Sequence, residues 1–215
     1  MLRPEFYVGI DPGPDYVSVA VTNSDGVPHE VSSGTIRGAG GRELFCFFCK
    51  RLPVLLKSTV TIEDIQPYGE RVSKSTIETC VMIGRCLQFL DSCGTSGYRI
   101  GRHRIGSLIG AKAGDKKFRA RLIELLGHPG TAKRPGPTHG IVGDAWSALA
   151  VATAMRLALK RDVMPDDPFF KKVTKRRAAK EALVADMGNA GTFPVNRWEV
   201  WEQLKNKDYD LIGKR

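Results

Sequence analysis

Long apolar runs are missing from this chain of 215 residues. No stretch approaches the roughly 18 residues that cross a bilayer, so no membrane span is expected. No cleavable leader is expected either, because MLRPEFYVGID passes almost at once into a strand pattern. Cysteine is scarce: five residues, an odd number, point to free thiols in a reducing compartment. The expected location is therefore cytoplasmic. Cys46 and Cys49 form one C-x-x-C within GRELFCFFCKRLPVLL, but Cys80, Cys86 and Cys93 offer no second ligand pair at zinc spacing. Both are expected as small buried residues of a helix. Acid is in deficit too, with 23 Asp and Glu against 33 Lys and Arg, a net charge of +10. That balance favours a polyanionic partner, nucleic acid ahead of an anionic membrane.

Hydrophobic residues make up 42% of the chain and charged residues 26%, proportions that suit one sizeable soluble core with an appendage. Strands are expected at 5–11 (EFYVGID), 15–22 (DYVSVAVT), 29–36, 59–66 (TVTIEDIQ) and 97–105 (GYRIGRHRI). Helices are expected at roughly 42–57, at 73–92 with Ser73 or Ser75 as N-cap, at 115–127 and at 144–161. The order βββ-α-β-α-β-α-α predicts an α/β fold with a mixed five-stranded sheet flanked by helices. Past Pro165 the chain turns strongly basic, which divides it into a core over 1–161 and a basic C-terminal extension over 162–215.

Three carboxylates stand out against this frame. Strand alternation puts Tyr7, Gly9 and Asp11 on one face of the first strand, and Gly9 leaves room beside the acid. In TVTIEDIQ the same alternation separates Glu63 from Asp64, so only one of the two can point at a given site. Asp144 opens an almost wholly apolar helix. Singly, each has a plain structural explanation: a turn residue, a solvent-facing edge, an N-cap. Together, hard oxygen ligands of this kind suit Mg²⁺ or Mn²⁺. Two such ions can activate a water and stabilise the leaving oxygen of a phosphodiester. Metal-dependent phosphodiester hydrolysis accounts for the clustered acids and the positive net charge at once.

The motifs GIDPG, TIEDIQP and DAWSALAVA, in this order and spacing, resemble those of the RuvC-type Holliday junction resolvases, within the RNase H-like nucleases. The resemblance runs from about Tyr7 to Leu159, and PGPTHGIVGDAWSALAVA is most similar to the bacteriophage branch. It implies an RNase H-like core and a crossover junction endodeoxyribonuclease that cuts four-way junctions and other branched DNA. The catalytic and metal-binding residues it implies are Asp11, Glu63 and Asp144, holding Mg²⁺ or Mn²⁺, with two ions expected. One position departs from the pattern: the family's fourth carboxylate, one helical turn after Asp144, is Ser147 here. Ser147 can hold a water in the outer shell but supplies no charge, and Asp64, Asp115 and His139 are candidates to compensate, Asp64 the weakest of them by its facing.

Eight Lys or Arg residues and one acid lie between Arg99 and Leu122. A solvated helix face accounts for about half of them. Lys116 and Lys117, at a helix start, are better placed to touch phosphate, and the resemblance implies that basic residues of this segment, including Lys112 and Arg104, lie beside the cut strand. Tyr68 is a candidate to stack on an unpaired base at a junction centre. A homodimer would set two active sites against the two symmetric strands of a junction, and Ile77, Val81 and Gly84 form a stripe suited either to that interface or to packing on the sheet. Two other readings remain: an RNase H-like nuclease acting on RNA or hybrid, and a branched-DNA-binding protein whose catalysis is weakened by Ser147.

Overall fold

The computed structural model describes residues 4–35, 41–65, 72–95, 97–161 and 170–172, all within one compact unit, Met1–Thr174. Three antiparallel strands open the chain: β1 (Phe6–Pro12), β2 (Tyr16–Asn23) and β3 (Pro28–Thr35). Helices α1 (Gly41–Cys49) and α2 (Leu52–Leu55) follow, then β4 (Ser58–Asp64), α3 (Lys74–Ser92) and β5 (Gly97–Gly101). Helices α4 (Arg102–Ile109) and α5 (Asp115–Leu126), a small hairpin of β6 (Gly130–Thr131) and β7 (Arg134–Pro135), and α6 (Ala145–Lys160) complete the core. The sheet order is β3-β2-β1-β4-β5-β8, where β8 is Phe170–Lys172, with β4 parallel to both β1 and β5. All five expected strands are present. A sixth, β8 (Phe170–Lys172), pairs antiparallel with β5 from beyond residue 161.

Alternation along β1 sorts the core into two layers. Val8 and Ile10 join Val17, Val19, Val60 and Ile62 against α1, α2 and α3, where Phe48 stacks on Phe89. Tyr7 and Ile100 face the other way, into α4, α5 and α6. Gly9 is what lets α6 lie so close to the sheet: a Cβ there would fall 2.1 Å from the Ala148 carbonyl oxygen and 2.4 Å from the Ala152 nitrogen. Helix α6 is accordingly built of small residues, with Ala148, Ala150, Ala152 and Ala154 fully buried.

Three expectations need correction, and one of two alternatives for α3 falls away. The strand over 97–105 stops at Gly101, since Arg102 begins a helix whose Ile105, Leu108 and Ile109 are buried at helical spacing. The helix over 42–57 is two helices, because Pro53 starts a new turn at α2. Cys46 is exposed and Cys49 only half-buried; Leu44 and Phe48 form the buried stripe of α1 and turn residue 46 outward. Finally, Ile77 and Val81 do not pack on the sheet: they are 56% and 48% exposed, while Met82, Ile83 and Cys86 fill the inner face of α3. Ser73 is the N-cap, accepting from the Thr76 backbone N–H.

Candidate functional site

Strands β1, β4 and β5 run parallel to one another, so their C-terminal ends form one edge, the usual place for a site in such sheets. Asp11 lies near the end of β1, Glu63 near the end of β4, and Arg102 directly after β5. They line a cleft of about 470 Å³ together with Tyr16, Asp64 and Thr79. Residues Gly9 and Thr61 are paired across β1 and β4, which puts Asp11 and Glu63 on the α6 side of the sheet. Asp64 takes the other face, and its Oδ1 accepts from Arg99 Nη2 in a tight ion pair. The facing argument from the sequence thus holds for this pair.

Burial makes the two acids unusual. Asp11 and Glu63 are each only 8% exposed. Burial first, and then the Glu63 charge, push the Asp11 carboxyl from 3.8 up to about 8, with Asp144 and Asp115 adding to the rise and Arg102 opposing it. Burial raises Glu63 as well, against the pull of Arg102. Arg102 Nη1 donates to Glu63 Oε1 at 2.8 Å, and its Nη2 donates to Asp115 Oδ1. Burial works against the charge of Arg102, but Glu63, Asp115 and Asp11 outweigh it and raise its pKa. Tyr16 is pushed above its ordinary value by burial and by Asp11, Asp144, Glu63 and Asp115, so its hydroxyl stays protonated and a donor.

Asp144 occupies the N-cap position of α6 yet makes no capping hydrogen bond. Its carboxylate is exposed, and its charge reaches Asp11. Ser147 is buried, and its Oγ donates to Asp115 Oδ1 at 3.3 Å. His139, which follows β7, is turned to the Pro129 carbonyl oxygen, 3.1 Å away. Of the three substitutes considered for the missing acid, Asp115 is the one in contact with Ser147. The structure therefore brings Asp11 and Glu63 together, with Asp144 within electrostatic range. Among the described residues, no three His, Cys, Asp or Glu side chains close around a single point that would hold an ion.

The donor set nevertheless fits a hard divalent cation. Glu63 Oε2 is buried without a hydrogen-bond partner, an arrangement that is costly unless a cation satisfies it. The Glu63 charge adds to burial in raising Asp11, and Arg102 only partly offsets the rise. Arg102 and Tyr16 were not singled out from sequence. The available signal was positional: Arg102 follows a strand parallel to those carrying the two acids.

Much of the basic segment is engaged within the protein. Arg99 pairs with Asp64, Arg102 with Glu63 and Asp115, and Arg121 with Glu124 and the Ile109 carbonyl oxygen. Arg119 lies 5.4 Å over the Trp146 ring. Lys112, Lys116 and Lys117 are exposed, the latter two in the first turn of α5, while Arg104 is half-buried in α4. Tyr68 lies outside the described residues, as does the basic extension apart from β8. No described helix is long and apolar enough to cross a membrane.

Among solved structures, the chain is similar to RuvC of T. thermophilus in complex with a Holliday junction substrate. The TM-score is 0.55 at 17% identity, over 77% of this chain and 97% of that one. A second Thermus thermophilus RuvC structure gives a TM-score of 0.54 at 17% identity, over 77% and 98% of the two chains. The fold is therefore RuvC-like, an α/β RNase H-like arrangement. No protein-family model and no curated protein sequence matches the chain.

Proposed function

We propose that this chain is a Mg²⁺- or Mn²⁺-dependent endonuclease that hydrolyses phosphodiesters in four-way junctions and other branched DNA. The observation that carries the reading is the pair Asp11 and Glu63, buried side by side at the ends of neighbouring parallel strands, with one Glu63 oxygen unpartnered. The likeness to a RuvC solved with a Holliday junction substrate supports branched DNA as the partner. The sequence PGPTHGIVGDAWSALAVA is what favours the bacteriophage branch.

Asp11, Glu63 and Asp144 would hold the ions, with Ser147 contributing through a water. Two bound ions would lower the pKa of an attacking water and offset the charge that develops on the leaving oxygen. Asp11 and Glu63 hold fixed positions because β1 and β4 are central strands of the sheet. Lys116 and Lys117 hold backbone phosphate at the N-terminus of α5, where the helix dipole adds to their charge. Lys112 and Arg104 extend that contact, Tyr68 stacks on an unpaired base, and the extension over 162–215 tethers further phosphates. These contacts recognise charge and shape rather than sequence. Ile77 and Val81, apolar and exposed along one side of α3, support dimerisation there. Around Gly84 there is open space for a close approach.

One observation favours a second reading, a branched-DNA-binding protein with weak or no cleavage: Arg102 already pairs with Glu63. Cleavage of a labelled four-way junction and a matched duplex in Mg²⁺ or Mn²⁺, beside gel-shift binding in chelator, separates the two. Wild-type cleavage of the junction that is lost in Asp11→Asn, with binding retained, is the expected result. Binding without cleavage in either metal selects the second reading, and equal affinity for junction and duplex removes the resolvase assignment.

A further inference from the structure

We propose that Asp115 supplies the carboxylate that Ser147 does not, and that Arg102 competes with a divalent cation for Asp115 and Glu63. The proposal rests on the metal-dependent reading above and assigns two residues to it. A single guanidinium spans the two acids: Nη1 donates to Glu63 Oε1 at 2.8 Å and Nη2 to Asp115 Oδ1. The two carboxylates flank one guanidinium, and a shift of the exposed Asp115 side chain would let a cation take the guanidinium's place between them. One comes from β4 and the other from the first turn of α5, so the fold, rather than one helix, brings them together.

Ser147 fits the same scheme. It is buried on α6, and its hydroxyl donates to Asp115 Oδ1 at 3.3 Å. An acid at 147 would repel Asp115, whereas a hydroxyl orients it. Serine and aspartate are complementary occupants here, and the charge missing from α6 is delivered from α5. The independent sign of a cation is Glu63 Oε2, buried and without a hydrogen-bond partner although Oε1 is bound by Arg102. Arg102 satisfies half of that carboxylate.

Arg102 also has somewhere to go. Its side chain is 33% exposed. Its contact on the other side is the Phe118 ring, 5.3 Å from the guanidinium carbon, a surface over which it can slide without leaving a buried charge behind. Release from Glu63 would bare both carboxylate oxygens at once. The cation would therefore bind by displacing an internal positive charge, and its apparent affinity would be lowered by that competition.

Mn²⁺ titration calorimetry on the full chain without DNA, with thermal melting in chelator and in saturating Mn²⁺, tests this. Arg102→Met should bind Mn²⁺ more tightly, on the order of tenfold. It should melt lower than wild type in chelator and level with it in Mn²⁺, whereas a purely structural strut would lower both melts. Arg102→Lys keeps the charge and should fall between the two. Asp115→Asn should weaken Mn²⁺ binding on the order of tenfold. If Asp11→Asn and Glu63→Gln lose Mn²⁺ while Asp115→Asn binds as wild type, Asp115 is not a ligand and this inference fails alone. If Arg102→Met and Arg102→Lys both bind no tighter than wild type, the competition is refuted. If Asp11→Asn binds Mn²⁺ as wild type does, the metal-dependent reading itself falls, and this inference with it.

Discussion

Replacing Gly9 by alanine should uncouple the sheet from α6 and disable the site without touching any of its polar residues. The added Cβ would lie 2.1 Å from the Ala148 carbonyl oxygen and 2.4 Å from the Ala152 nitrogen. Both are helix backbone and cannot rotate aside. Ordinary contact begins at 3.4 Å, so α6 must retreat by 1.3 Å, the difference of 3.4 and 2.1. Overpacking of this kind costs about 3 kcal/mol. A gap of that width also forfeits a large part of the dispersion contact along Leu149, Val151 and Met155, all fully buried. A total of about 3–5 kcal/mol is a large share of the stability of an ordinary domain. Asp144 and Ser147 move with α6 while Asp11 stays with β1, so Mn²⁺ affinity and cleavage should fall about 100-fold, as expected for an ångström of misplacement. Urea denaturation followed by circular dichroism gives the first quantity, and calorimetry with a cleavage assay gives the second. A Gly9→Ala protein within about 0.5 kcal/mol of wild type would mean that α6 does not lie against β1 as described.

Asp11→Asn and Glu63→Gln should each abolish junction cleavage while leaving gel-shift affinity in chelator unchanged. The Asp11 carboxyl rises from 3.8 unfolded to about 8 folded. Its stabilising effect is thus complete below pH 4 and is lost as pH climbs toward 8, by at most about 1.4 kcal/mol per pH unit. Chemical denaturation in chelator should show that decline in wild type and a flatter profile in Asp11→Asn; an unchanged slope would contradict the burial assigned to Asp11. Ser147→Asp sets a second carboxylate beside Asp115, so it should melt below wild type in chelator and recover in Mg²⁺, with cleavage kept or raised. Lys116→Ala and Lys117→Ala should weaken binding alike for all junction sequences and cut the slope of log K against log salt by about 1 each. Ile77→Glu with Val81→Glu should convert a dimer to a monomer in sedimentation without loss of stability, since both side chains are exposed.

Much of the geometry was legible because strand periodicity is binary. Gly9 beside Asp11, and Glu63 opposed to Asp64, follow from counting alternate residues, and the parallel register of β1 and β4 then sets the two acids side by side. Arg102 was hidden by the same rule. GYRIGRHRI alternates well enough to pass for one strand, and only the buried set Ile105, Leu108 and Ile109 marks the helix that begins at Arg102. The Asp115–Ser147 contact joins residues 32 apart on separate helices, so no local pattern encodes it. Cys46 departs from the burial that its residue type favours, because its outward position on α1 is decided by Leu44 and Phe48.

The dependence of the site on Gly9 bears on the order in which the chain is made. Asp11, Glu63 and Arg102 all leave the ribosome before α6 does, and α6 packs against Gly9 of β1, carries Ser147 and has Asp144 at its N-cap. A nascent chain that ends between residues 116 and 143 holds Asp11, Glu63 and Asp115 but lacks the helix that packs on their side of the sheet. A nuclease activity of the kind proposed would then switch on only when synthesis of the core is essentially finished.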